Sequence, residues 1–252
     1  MPKSPPTARW WKPIWGRAMT ETILQIKGLN AWYGESHILH GVDFHVQRGE
    51  VVTLLGRNGA GKTTSLKSIM GMVEKRKGSV SFAGAETIGL SSDKIARLGI
   101  ALCPEERAIF SSLNVLENLT LPPKVRDGGM SLEEIYKLFP NLQERSRSQG
   151  TKLSGGEQQM LAIGRILRTG ATLLMLDEPT EGLAPVIVQQ IGRTIRSLKD
   201  KGFTILLVEQ NFRFASTLAD RLYVMDRGLI VDELKGSEVD ANIDRLEKLL
   251  GV

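Results

Sequence analysis

Three stretches of this chain are apolar almost without a break: EVVTLLG (50–56), TLLMLDEP (172–179) and FTILLVEQ (203–210). A strand with one face in water alternates apolar and polar residues; a strand buried on both faces does not. These three therefore read as strands at the centre of a parallel sheet. Earlier, ILQIKGLNAWYG (23–34) and HILHGVDFHVQ (37–47) alternate, with glycine breaks, as antiparallel strands do. GSVSFAG (78–84) adds a short strand. A helix follows the first buried run, from Gly61 to about Met70. KIARLGIALCPEE reads as a helical turn, then a strand running into a loop. From Ser111 to Thr169 the pattern turns helical, most clearly in SLEEIYKLF and EQQMLAIGRILR. In PVIVQQIGRTIRSLKDKG, Ile187, Ile191, Ile195 and Leu198 fall on one helical face. LYVMDRGLIVDEL (222–234) reads as a hairpin turning at Arg227-Gly228, and EVDANIDRLEKLLGV as a short amphipathic helix. Strands alternating with helices predict an α/β fold with a mostly parallel core sheet. An antiparallel β region precedes that core, and a helical subdomain is inserted over about 111–169.

Charge changes the picture at one end only. The formal charge is +5, yet Lys3, Arg9, Lys12 and Arg17 stand near the start with no acid among them. Setting those four aside leaves 29 of the 33 basic residues against 28 acidic ones, so the body is nearly neutral and shows no nucleic-acid footprint. The start, MPKSPPTARWWKPIWGRAM, holds three of the four tryptophans among its prolines. It reads as a disordered leader over 1–19, or as a start placed ahead of Met19. Its Trp and Lys/Arg residues also allow contact with lipid headgroups, although proline resists an amphipathic helix. One cysteine, Cys103, excludes an internal disulfide and suits a reducing compartment. No apolar run approaches the ~20 residues needed to cross a bilayer, and no signal peptide is visible. The chain reads as soluble and cytosolic.

The chemistry sits where the buried runs end. GRNGAGKTT (56–64) matches G-x-x-x-x-G-K-[ST] in full, with a strand before it and a helix after. Across Gly56, Arg57, Asn58, Gly59, Ala60 and Gly61 the backbone N–H groups can wrap phosphates. Lys62 supplies a point charge to them, Thr63 a hydroxyl to Mg²⁺, and Thr64 continues the motif. LLMLDEP ends on two carboxylates at the ligand-binding edge of a parallel sheet. Asp177 suits a Mg²⁺ held through water, and Glu178 an attacking water; a bare helix cap is the plainer reading. LSGGEQQ (153–159) is a second anion-binding helix start: Ser154 caps, and Gly155, Gly156 and Glu157 open the helix.

Phosphate loop, LSGGE and hhhhDE, in this order, resemble the ATP-binding subunit of ABC transporters. The resemblance covers residues 20–252 and implies an ABC ATP-binding domain that hydrolyses ATP with Mg²⁺. It also answers why one chain would hold two phosphate sites. In that family subunits pair head to tail, and the LSGGE loop of one closes on the ATP held by the other. Ser154, Gly155, Gly156 and Glu157 would then serve a partner's nucleotide. The resemblance puts Tyr33 where an aromatic stacks on adenine; a strand aromatic in the core is the alternative. Glu105, in CPEER, falls where a glutamine beside the metal is usual, and Gln210, in VEQN, where the switch histidine is usual. Ala184 falls where an aspartate is usual. Since Lys62, Thr63, Asp177, Glu178 and LSGGE are intact, the site reads as active.

PEER, DEPTEGLAP, VEQN and LSGGEQQMLAIGRIL look like one subgroup, the LivF-type ATPase of branched-chain amino acid importers and of related amide or urea importers. This implies two membrane permeases, a sister ATPase or a second copy of the chain, and an extracytoplasmic solute-binding protein reached indirectly. It also implies a peripheral place on the cytoplasmic face of the inner (plasma) membrane. Ile109, Phe110 and Leu113 would lie near the permease contact. Two other classes compete. A DNA-repair or ribosome-associated ABC ATPase would carry a coiled-coil insert, or two ATPase units in one chain. A regulatory subunit without turnover would lack Glu178.

Overall fold

The computed structural model describes residues 21–251, so the leader reading of 1–19 lies outside the described residues. Strands β1 (Thr22–Tyr33) and β2 (Ser36–Gln47) pair antiparallel across a tight turn, as their alternation predicts. β3 (Val51–Leu55) runs into the phosphate loop, and α1 (Lys62–Ile69) follows. β4 (Lys75–Phe82) begins earlier than GSVSFAG suggests. Lys75, Arg76 and Lys77 find ladder partners on β1, which their charge does not advertise. With the two-residue β5 (Ala85–Glu86) these strands form a sheet of order β2-β1-β4-β5.

Next come α2 (Ser92–Leu98) and β6 (Ile100–Cys103). The stretch read as helical then resolves into α3 (Val115–Thr120), α4 (Leu132–Leu138), α5 (Pro140–Glu144) and α6 (Gly155–Leu167). Three of these open on reciprocal capping boxes, at Asn114, Ser131 and Ser154, where a side chain and the Glu three residues on satisfy each other's backbone N–H groups. β7 (Leu173–Asp177), α7 (Pro185–Asp200), β8 (Thr204–Glu209) and the short α8 (Phe212–Ser216) follow. The chain ends in the hairpin β9 (Arg221–Asp226) and β10 (Leu229–Lys235), then α9 (Ile243–Leu250). The hairpin turns where expected, but β9 also pairs parallel with β3 and so joins the core sheet. That sheet has order β10-β9-β3-β8-β7-β6, parallel except at β10.

The unbroken apolar runs now have a cause. Along β7, Leu173 and Met175 pack in the core shared with the antiparallel sheet, while Leu174 and Leu176 pack against the helical side. β8 does the same: Leu206 and Val208 face one way, Ile205 and Leu207 the other. Each such side chain, withdrawn from water, contributes about 1.5–3 kcal/mol. Successive residues of one strand thus supply two cores, and apart from the hydroxyls of Thr53 and Thr204 the strands carry no polar side chain until they emerge at their C-terminal ends. The parallel strands β3, β7 and β8 end side by side, which gathers the phosphate loop, Asp177-Glu178 and Glu209 along one edge.

Candidate functional site

The loop between β3 and α1 is shaped by its glycines. Gly61 caps α1 at φ 111°, and a Cβ there would sit 2.9 Å from Leu39 Cδ2 and 3.0 Å from Met225 Cε, so only glycine fits. Arg57, Asn58 and Gly59 are exposed at the loop's outside, whereas Gly56 and Ala60 are buried. No carboxylate stands in the first turn of α1, so nothing on that helix competes for its positive end.

Lys62 is 4% exposed. Its Nζ donates to Gly56 O at 2.7 Å and Arg57 O at 3.1 Å, and pairs with Glu178 Oε1 at 3.0 Å. An ion pair this buried has little water to screen it, and an incoming phosphate would compete with Glu178 for the ammonium. Glu178 has φ 44°, left-handed backbone that a side chain seldom adopts. Its N–H donates to Val208 O at 2.9 Å, and its C=O accepts from Glu181 N at 3.2 Å. The Glu181 carboxyl is raised from its ordinary value, first by a side-chain hydrogen bond with Glu178 and then by burial.

Thr63 Oγ1 donates to Asp177 Oδ1 at 3.2 Å. Burial pushes the Asp177 carboxyl up to about 6; the Thr63 bond opposes this, and the nearby Glu178 and Glu105 charges add to it. A desolvated carboxylate beside a hydroxyl, with two more carboxylates near, is short of positive charge. Its donors are all oxygen, the set that a hard divalent cation such as Mg²⁺ takes together with phosphate oxygens. Among the described residues no three His, Cys, Asp or Glu converge into a protein-only metal cage.

Around these groups lies an open cleft of about 430 Å³. Asn58, Gly59, Gly61, Lys62, Thr63, Thr64, Glu105 and Glu178 line it, together with Ile38 and Glu181, which sequence reasoning did not single out. Ser154, Gly155, Gly156 and Glu157 do not line it. They form the start of α6, where Ser154 N donates to Glu157 Oε2 at 2.7 Å and Glu157 N to Ser154 Oγ at 3.3 Å. The Glu157 carboxylate is therefore turned onto its own helix. The N–H groups of Gly155 and Gly156 have no hydrogen-bond partner among the described residues. A Cβ on Gly156 would meet Ile187 Cγ2 at 2.9 Å, so this glycine lets α6 approach α7. A Cβ on Gly155 would meet nothing closer than 3.5 Å.

Six more of the predicted positions are absent from the cleft lining: Gly56, Arg57, Ala60, Asp177, Tyr33 and Gln210. Tyr33 is 49% exposed at the end of β1, so it is not a core aromatic. Gln210 is exposed one residue past β8. Its neighbour Glu209 is 2% exposed and accepts from Thr180 Oγ1 at 2.8 Å. Burial pushes the Glu209 carboxyl up to about 7, against the bonds from Thr180 and from Asn211 N–H. Sequence reasoning passed over Glu209, although it carries the signal that marked Asp177: an acid at the end of a buried run.

The profile of the family described as "ABC transporter" matches residues 39–181. The chain belongs to the ABC transporter family. It is an ATP-binding, ATP-hydrolysing cassette of that family. This ABC ATPase is 43% identical over 232 residues to the high-affinity branched-chain amino acid transport ATP-binding protein BraG of Pseudomonas aeruginosa, covering 91% of the chain and 100% of BraG. It is 36% identical over 231 residues to the probable branched-chain amino acid transport ATP-binding protein LivF of Archaeoglobus fulgidus, covering 90% of the chain and 98% of the relative. Among solved structures it matches a nucleotide-free ATP-binding cassette from an ABC transporter at TM-score 0.78 and 27% identity, over 90% of this chain and 97% of that one. It also matches a dimeric cassette in a post-hydrolysis state bound to ADP and phosphate, at TM-score 0.74 and 25% identity, over 84% of this chain and 98% of that one. The expected α/β cassette fold is thereby shown. Among the described residues, no helix of this ABC ATPase is long and apolar enough to cross a membrane.

Proposed function

We propose that this ABC ATPase powers a solute importer of the branched-chain amino acid type, working as an ATP-sandwich dimer with a second copy or a sister ATPase. One observation carries the reading. The chain holds two helix starts suited to anions, and the cleft lined by Lys62, Thr63 and Glu178 is built from only one of them. The start of α6 keeps two backbone N–H groups without partners, which suits it to phosphate oxygens brought by another subunit. Full-length similarity to BraG supports the cargo class.

In this reading Gly59, Gly61, Lys62 and Thr64 hold the phosphates of the substrate ATP, with Arg57, Asn58 and Ala60 completing the loop. Tyr33 stacks on adenine. Thr63 and Asp177 would hold Mg²⁺, with Glu105 at the cleft rim. That cation, when bound, neutralises charge on the phosphate oxygens. Glu178, released from Lys62 by the arriving phosphate, takes a proton from the attacking water. Gln210 orients the same water through its carboxamide. Phe110, 43% exposed beneath the Arg165 guanidinium at 4.5 Å, belongs to the surface that meets a permease. The assembly sits peripherally on the cytoplasmic face of the inner membrane, with two permeases and an extracytoplasmic solute-binding protein.

The test is a pair of variants of the full chain. Glu178→Gln should bind MgATP, stop turnover and accumulate as a long-lived dimer on a sizing column. Adding Gly155→Asp should abolish that dimer, because the helix start has room for the side chain and the new charge opposes phosphate. A double variant that still dimerises with ATP refutes the shared site.

A further inference from the structure

Glu209 is a carboxylate without a task in the mechanism above. It ends β8, a strand whose other residues are apolar or, at Thr204, hydroxylic, and it lies 2% exposed. Its hydrogen-bond partners among the described residues come from Thr180 and Asn211: the Thr180 hydroxyl at 2.8 Å and the Asn211 N–H at 3.4 Å. Neither is a cation. Burying an acid on so little compensation costs stability, and an apolar residue would suit this strand better.

Its position says what it does. On one side Thr180 lies two residues past Glu178, in the turn that carries Glu178 at φ 44°. Left-handed backbone at a non-glycine residue persists only when its surroundings over-determine it. Glu178 N–H to Val208 O fixes the start of that turn, and the Glu209 carboxylate on Thr180 fixes its next bend. On the other side, Asn211 N–H ties the same carboxylate to the segment that bears Gln210, and the Asn211 side chain caps α8 by accepting from Phe214 N at 3.1 Å.

We infer that Glu209 is a positioning residue for hydrolysis: through Thr180 and Asn211 it clamps the turn presenting Glu178 to the segment bearing Gln210. This rests on the hydrolytic reading of Glu178 above. None of Glu209, Thr180 and Asn211 lines the cleft, so the clamp acts on the rate of the chemical step more than on nucleotide affinity.

Steady-state hydrolysis by the full chain, measured against MgATP concentration, tests it. Thr180→Val is isosteric and lacks the hydroxyl; it and Glu209→Ala should each lower kcat roughly tenfold or more while KM stays within about threefold. Thr180→Ser and Glu209→Gln keep a donor or acceptor in place and should restore most of that loss. Combining Thr180→Val with Glu209→Ala should be no worse than about twofold below the slower single variant, since both remove one contact. Thr180→Val carries the test alone if Glu209→Ala does not fold. Wild-type kcat in Thr180→Val, KM rising in step with lost kcat, or multiplying losses in the double variant would overturn the clamp. Glu178→Gln run alongside separates the two ideas. If it hydrolyses normally, the hydrolytic reading fails; if it is inactive while Thr180→Val is normal, only the clamp fails.

Discussion

Replacing Glu209 with glutamine should make this ATPase more stable at alkaline pH than at acidic pH, relative to the native chain. The folded protein holds the Glu209 carboxyl at about 7, against an ordinary value of 4.5, chiefly because burial disfavours the charged form. At roughly 1.4 kcal/mol per pH unit, that gap is about 3 kcal/mol. The sign follows from proton binding. Between pH 4.5 and 7 the folded state keeps a proton that the unfolded state has released, so stability falls as pH rises through this window and levels off above it. Glutamine is neutral throughout and can still accept from Thr180. Glu209→Gln should therefore exceed the native chain by up to about 3 kcal/mol at pH 8, and by under about 1 kcal/mol at pH 5 less whatever the Asn211 contact was worth. For a chain of this size the alkaline gain corresponds to a melting rise of roughly 5–10 °C. Thermal melts of both proteins without nucleotide, at pH 5 and pH 8, read it directly. An equal melting difference at the two pH values would refute the argument, since it would show that the carboxylate is not desolvated in the fold.

Gln210→Ala should hydrolyse well below the native rate while still binding ATP, and Gln210→His should add a pH-dependent limb between roughly pH 6 and 7, because imidazole titrates there and a carboxamide does not. A native rate in Gln210→Ala would make Gln210 only the loop residue its exposure shows. Gly156→Val should cost about 1–3 kcal/mol by driving a side chain into Ile187, whereas Gly155→Ala should leave the melting temperature within a few degrees. Equal melting temperatures for these two variants would mean that α6 and α7 part easily at this point.

The sequence by itself determined a good deal here. The phosphate loop depends on backbone shape, and a glycine-rich spacing with Lys62 and Thr63 encodes that shape locally. The buried strands were legible because two covered faces leave no polar alternation, and Ser154 announced the start of α6 through its own capping chemistry. Other features depend on residues far apart in the chain. Lys75 to Lys77 become strand because β1 offers them partners, and β9 enters the core sheet because β3 lies beside it. The second glycine of LSGGE reads like a phosphate-binding residue, and only the fold adds that its freedom from a side chain also serves the approach to Ile187 on α7. Glu209 sits in plain view in VEQN. Only when β7 and β8 are laid side by side does its carboxylate meet the Thr180 hydroxyl, and only burial by both sheet faces moves its proton. Backbone conformation is local and leaves a pattern in the sequence; desolvation and cross-strand partners belong to the assembled sheet.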